Sequence, residues 1–196
     1  MLGRHLVDVL LQAGVSVRAF VRSSSDTSHL KSKGVALVQG DASDGAALRR
    51  AVEGMELIFH LAGYLTAGSP FGDDNKASDK EWSLYKAINV DFTEALLEAS
   101  LEAGAGRFVF FRSSAVYSLD APVPTREEAP LQPFSTYGRS KLMAEEKVRA
   151  YQEKGLATTI IRPPIPYGPG DRYFTPMALR LARLPLLPLI NGGRNS

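Results

Sequence analysis

The pentapeptide Tyr137-Gly138-Arg139-Ser140-Lys141 places a phenol and an ammonium four residues apart. On a helix that spacing puts both groups on one face, so they can share a site. A free tyrosine titrates near pH 10, too high for proton transfer at neutral pH. A nearby lysine cation stabilises the phenolate and lowers that value, which makes the pair a general acid/base for an alcohol or a ketone. The same spacing occurs on any surface helix with a solvated lysine, so its meaning depends on context. Upstream, an apolar segment at 107–112 runs into Ser113-Ser114-Ala115-Val116-Tyr117. In open parallel sheets ligands bind beyond the carboxyl ends of the strands, where these hydroxyls would stand. A serine there donates a hydrogen bond to a carbonyl oxygen as charge develops on it. On position alone, a serine-rich turn accounts for the pair equally well.

The elements that must position these groups follow from periodicity. Residues 2–13 read as a helix, with Leu2, Leu6, Val9, Leu10 and Ala13 on one face and Gly14 as its C-terminal glycine. Residues 15–21 alternate as a strand, and a polar loop follows. Residues 35–39 form a short strand ending at Gly40-Asp41. Ser43 or Asp44 caps a helix reaching about Glu53. The apolar run 57–62 stops at Gly63, where backbone can approach a ligand closely. Residues 64–82 read as a loop, and 84–103 as a long helix before Gly104. Beyond strand 107–112, the spacing predicts a helix over 135–155, a strand over 157–161 and a helix over 175–184. Strand 157–161 leads into a stiff loop from Arg162 to Asp171 that contains four prolines. Strands that alternate with helices and read as continuous apolar runs predict an α/β fold with a doubly wound parallel sheet.

Composition narrows the function. The 196 residues carry a net charge of +2 and 44% apolar residues, an ordinary globular balance. That charge gives no warrant for a nucleic-acid partner. No cysteine is present, which excludes disulfides, thiolate metal sites and a cysteine nucleophile. His5 and His29 lack metal-ligand spacing, and His60, inside an apolar strand, reads as core. Arg4, His5 and Asp8 interrupt the N-terminal apolar residues, so no signal peptide is expected. No run reaches the roughly 20 apolar residues of a membrane helix. The expectation is a cytoplasmic protein without a membrane partner.

These segments together resemble the extended short-chain dehydrogenase/reductase family, also called the NAD-dependent epimerase/dehydratase family. The resemblance rests on Gly3 to Val7, Gly40-Asp41, His60 to Gly63, Asn89-Val90, Ser113 to Tyr117, Tyr137 to Lys141, and Arg162-Pro163 through Gly170. It implies a Rossmann-type fold, a nicotinamide cofactor and roles at matching positions. Tyr137 is then the acid/base, and Lys141 holds the nicotinamide ribose and tunes Tyr137. Ser113 is the catalytic serine, with Ser114 its rival, and Asn89 supports the site through its helix. Gly3 closes the phosphate loop, Asp41 bonds the adenine, Leu61-Ala62-Gly63 line the middle of the cofactor, and Pro164 and Ile165 present backbone to the nicotinamide. Where an acid would accept from the ribose of NAD, residues 20–23 read Phe-Val-Arg-Ser. Arg22 can pair with the 2′-phosphate of NADP, so NADP is the expected cofactor, with NAD the alternative.

The chain departs from the family pattern at both ends. Of the glycine loop only Gly3 is present, and the strand that should precede it is expected mid-sheet, between 15–21 and 57–62. Residues 1–175 are therefore expected to be a partial NAD(P)-binding domain, and 176–196 the start of a truncated substrate-binding region. The expected reaction is hydride transfer at a secondary alcohol or ketone of a small-molecule substrate, either a nucleotide sugar, a steroid or a flavonoid-like compound. A non-catalytic dinucleotide sensor and an inactive fragment are the alternatives. A homodimer is compatible with the resemblance.

Overall fold

The computed structural model describes residues 1–65, 78–171 and 174–183. The chain opens with helix α1 (Leu2–Gln12), strand β1 (Arg18–Val21), helix α2 (Ser28–Ser32), strand β2 (Ala36–Gln39), helix α3 (Gly45–Val52) and strand β3 (Leu57–His60). Helix α4 (Asp79–Tyr85) continues through a π-helical segment (Lys86–Asp91) into α5 (Phe92–Glu102). Strand β4 (Arg107–Phe111), a 3₁₀ turn (Ser114–Val116), helix α6 (Thr136–Glu153), strand β5 (Thr158–Ile161) and helix α7 (Phe174–Leu181) complete it.

All strand pairing is parallel, but the sheet comes in two pieces. β1 pairs with β2, and separately β3 pairs with β4 and β4 with β5. A groove of about 700 Å³ runs between the pieces, lined by Ala19 of β1 and Val17 just before it, Leu57 and Phe59 of β3, and Leu6 and Leu10 of α1. It lies where the sequence places a further strand. Helix α1 has an apolar stripe yet buries none of its residues.

The core sits around the other piece. Phe108 and Phe110 of β4 are fully buried and cluster with Leu48 of α3, Leu97 of α5 and Val148 of α6. β4 is central in its three-stranded sheet, so an unbroken apolar run is what burial on both faces requires. Polar caps settle the helix starts. The Asp44 carboxylate accepts from the Ala47 amide at 2.8 Å, and the Ser135 hydroxyl from the Gly138 amide at 3.0 Å.

Several expectations need correction. The first strand starts at Arg18 rather than Val15, and a short helix occupies Ser28–Ser32 inside a stretch that reads as polar loop. The helix expected from 84 begins at Asp79, because Ser78 and Glu81 form a capping box. Its middle is π-helical, a register shift that apolar spacing does not announce. Residues 66–77, within the expected loop, and most of the expected region 176–196 lie outside the described residues.

Candidate active site

The carboxyl ends of β3, β4 and β5 converge on the first turns of α6. Ser113 follows β4, Gly63 lies three residues beyond β3, and Pro164 three beyond β5. The Ser114 amide donates to the Pro163 carbonyl at 3.1 Å, tying the ends of β4 and β5 together. The Ser113 hydroxyl accepts from the Ala115 amide and lies close enough to the Tyr137 phenol to lower its pKa. Of the two serines, Ser113 is the one the fold turns toward the tyrosine.

Gly138 explains how α6 comes so close. A Cβ there would drive into the Ala115 carbonyl oxygen and lie 2.9 Å from Pro133. With hydrogen in that position, the helix start can lie directly on the turn that carries Ser113.

Asn89 is fully buried in the π-helical segment and joins three elements. Its Oδ1 accepts from the Tyr64 amide at 2.6 Å. Its Nδ2 donates to the Tyr64 carbonyl at 3.1 Å and to the Ser140 hydroxyl at 2.8 Å. The turn after β3 is thereby fixed against α6. Behind it, Thr93 gives its hydroxyl proton to the Asn89 carbonyl, so the His60 Nε2–H donates to the Thr93 oxygen at 2.8 Å. His60 is buried among Phe92, Phe108 and Phe110, and burial holds its pKa at about 3, so it is neutral. The sequence reading of His60 as core agrees with this burial; its place in a hydrogen-bond chain reaching Asn89 needed the fold.

Lys141 is 2% exposed, and its ammonium lies 4.7 Å from the centre of the Phe110 ring. It also lies within 3.6 Å of where a Cβ of Gly63 would be. Among the described residues, no hydrogen-bond acceptor meets it. Burial, and then the charge of Arg112, bring its pKa down to about 8. The expectation that Lys141 lowers the Tyr137 pKa is not met here. Burial raises the phenol above its ordinary value, and the nearby Ser113 hydroxyl offsets this only in part. The lysine ammonium lies over the Phe110 ring.

The remaining candidate residues line the outer edge. Arg22, Asp41, Ala62, Gly63, Pro164 and Ile165 are exposed and Leu61 is half-buried, so their backbone or side chains are open to a ligand. Gly3 is also exposed, in the first turn of α1. Asp41 spends one carboxylate oxygen on the Ser43 amide and hydroxyl, which holds its pKa below the ordinary value. Asp26, the first acid beyond β1, is bound by Ser28 and by Arg4 at 3.0 Å, and its pKa falls to about 2. Arg22 therefore stands at the β1 end with its nearest acid already engaged. A buried ammonium lacking an acceptor, beside an open run of backbone at the sheet edge, fits a ribose hydroxyl pair of a dinucleotide.

A cluster of four charged residues escaped the sequence reading. Glu145 is 1% exposed and is met by the guanidinium groups of Arg112, Arg149 and Arg162. The signal available was the continuation of the 137, 141 series to 145 and 149.

A model of the NAD dependent epimerase/dehydratase family matches residues 1–192. The chain is 34% identical over 190 residues to a ceramide reductase of Caulobacter vibrioides, covering 97% of this chain and 51% of that protein. It is 29% identical over 196 residues to a 4-hydroxy-2-methyl-3-oxo-4-farnesyl-3,4-dihydroquinoline-1-oxide ketoreductase of Stigmatella aurantiaca, covering 98% and 55%. Among solved structures, a short-chain dehydrogenase/reductase superfamily protein from Agrobacterium tumefaciens with bound NAD superposes with a TM-score of 0.68 at 33% identity, over 83% of this chain and 45% of that one. The chain thus spans about half the length of the curated relatives it matches. No helix among the described residues is long and apolar enough to cross a membrane.

Proposed function

The chain belongs to the NAD dependent epimerase/dehydratase family, and on that footing we propose that it carries the cofactor-binding and proton-transfer apparatus of an NAD(P)-dependent oxidoreductase acting on a ketone or secondary alcohol. The observation that carries this reading is the placement of Ser113, at the carboxyl end of β4, beside Tyr137 at the start of α6, with Lys141 one turn further along that helix. The cofactor, when bound, supplies or takes up the hydride. Leu61, Ala62 and Gly63 would hold its middle, Lys141 its ribose hydroxyls, and Pro164 and Ile165 the end nearest the reacting carbon.

In the reducing direction Tyr137 gives its proton to the substrate oxygen. A phenol whose pKa is raised by burial keeps that proton until negative charge develops on the acceptor. Ser113 donates a second hydrogen bond to the same oxygen. In the oxidising direction the phenolate is the base and takes the proton of the substrate hydroxyl. Asn89 keeps the turn after β3 in place while this happens.

For the nucleotide end we propose NADP. The exposed Arg22 offers a cation to a 2′-phosphate, and Asp26, which could otherwise accept from a ribose hydroxyl, is held by Ser28 and Arg4. The substrate would be a ketone or alcohol of the kind the two reductase relatives are named for.

The test is Tyr137→Phe, assayed for ketone reduction alongside cofactor binding. Turnover should fall about 10²–10⁴-fold, the usual size of a lost general acid, with cofactor affinity nearly unchanged. Near-parental turnover would refute the assignment.

A further inference from the structure

Positions 137, 141, 145 and 149 form one stripe of α6, reading Tyr, Lys, Glu, Arg. The first two belong to the site described above; the third is buried directly beneath them. Glu145 Oε1 accepts from Arg149 Nη2 at 2.8 Å and Arg162 Nη2 at 2.9 Å. Its Oε2 accepts from Arg162 Nε at 3.3 Å and forms an ion pair with Arg112. Arg112 immediately precedes Ser113, and Arg162 immediately precedes Pro163-Pro164. One carboxylate therefore meets the ends of β4 and β5 and the helix that carries Tyr137 and Lys141. Arg162 extends the tie outward, donating to the Tyr117 hydroxyl at 2.7 Å and to the Glu127 carbonyl at 2.8 Å.

We propose that Glu145 and Arg112 are positioning residues for proton transfer: Glu145 clamps three elements together, and the cation excess around it sets the charge state of Lys141. The proposal rests on the assignment of Tyr137 and Lys141 made above. The charge balance carries it. The Arg112 and Glu145 side chains are 0% and 1% exposed, and that of Arg162 is 13% exposed. One buried carboxylate, Glu145, meets two interior guanidiniums and the half-exposed Arg149, and Lys141 lies one turn away on the same face of α6. Arg112 Nε and Nη2 have no hydrogen-bond partner among the described residues, so the imbalance is not relieved locally. Excess positive charge beneath the site opposes protonation of Lys141 and favours an anionic phenolate or oxyanion above it. The lowered pKa of Lys141, with Arg112 as its second cause, agrees in direction. The other titratable and charged groups on the surrounding elements are His60 of β3, neutral as described, Tyr85 of α4, Tyr117 and Arg162 just beyond β4 and β5, and Tyr137, Glu145, Glu146 and Arg149 on α6 itself.

The experiment is an NMR titration of the Lys141 side chain in the 196-residue chain labelled with ¹³C at lysine Cε, the resonance assigned by its loss in Lys141→Met. Arg112→Met should raise the titration midpoint, and Glu145→Gln should lower it, each by about one pH unit, a tenfold change in the charged fraction at a fixed pH. Arg162→Gln, at a less buried position, should raise the midpoint like Arg112→Met and serves if the latter does not fold. Opposite shifts are what a charge effect demands, because simple loosening would move both midpoints toward the ordinary lysine value. Midpoints that stay put, or that all rise together, would overturn the proposal. Turnover of Tyr137→Phe tests the catalytic assignment separately, so the two ideas fail on different readouts.

Discussion

On the proposed reading, a single side chain decides between NADP and NAD. Arg22 is exposed at the end of β1, and the only acid nearby in sequence, Asp26, already serves Ser28 and Arg4. A charged hydrogen bond contributes about 1.5–3 kcal/mol, which corresponds to roughly tenfold or more in affinity. Arg22→Ala should therefore weaken NADP binding by about tenfold and leave NAD binding nearly unchanged, as isothermal calorimetry would show. Equal losses for both cofactors would mean that Arg22 does not meet the 2′-phosphate. Tyr137 adds a second lesson at this scale. Its neighbour in spacing, Lys141, is not what governs its acidity in this structure; burial is. The i,i+4 rule says that two side chains share a face, but not what else occupies it.

Elements set the distances between those side chains. Helix α6 can lie on the turn after β4 only because residue 138 has no Cβ. Gly138→Ala would press a methyl group onto the Ala115 carbonyl and Pro133, both held by their surroundings. Overpacking of this kind typically costs about 1–3 kcal/mol. The expected result is a lower thermal midpoint together with a loss of turnover larger than the loss of cofactor affinity, since Tyr137 is displaced from Ser113 while the backbone after β3 is untouched. Unchanged turnover would show that the helix start can retreat without cost. The π-helical segment is the other decisive element. A π turn shifts the side chains that follow it relative to an α-helix, and such turns are often found at functional sites. Here it holds Asn89, whose amide spans Tyr64 and Ser140. Asn89 was expected to support the site through its helix, and its contacts are consistent with that role.

At the scale of the molecule, stability is unevenly distributed. β4 is hydrogen-bonded on both sides and carries the fully buried Phe108 and Phe110, whereas β1 and β3 each present one edge to the groove between them. Unpaired edges leave backbone donors open to solvent and to other chains. Hydrogen exchange on the 196-residue chain should show strong protection of β4 amides. Groove-side amides of β1 and β3 should exchange at rates near those of an open chain. Uniform protection across all three strands would mean that the two pieces of sheet close on each other in solution.

What the sequence determined by itself was what depends on neighbours along the chain. Alternation at 15–21 and short apolar runs elsewhere marked the five strands, and glycine and cap residues marked several helix ends. The spacing of Tyr137 and Lys141, and the place of Ser113 at the end of a strand, pointed to a proton-transfer site in a parallel α/β fold. These are local rules of backbone geometry, and they hold before anything packs. Tertiary structure decided what depends on residues far apart in the chain. Arg112, Glu145 and Arg162 belong to three different elements, and nothing in their own segments announces that one buried carboxylate meets both arginines. The link from His60 through Thr93 to Asn89 spans β3, α5 and the π-helical segment. The raised pKa of Tyr137 and the lowered pKa of Lys141 follow from burial, which a sequence pattern implies only by face and never by depth. Charge in an interior is governed by what surrounds it in three dimensions, and only the folded chain brings those groups together.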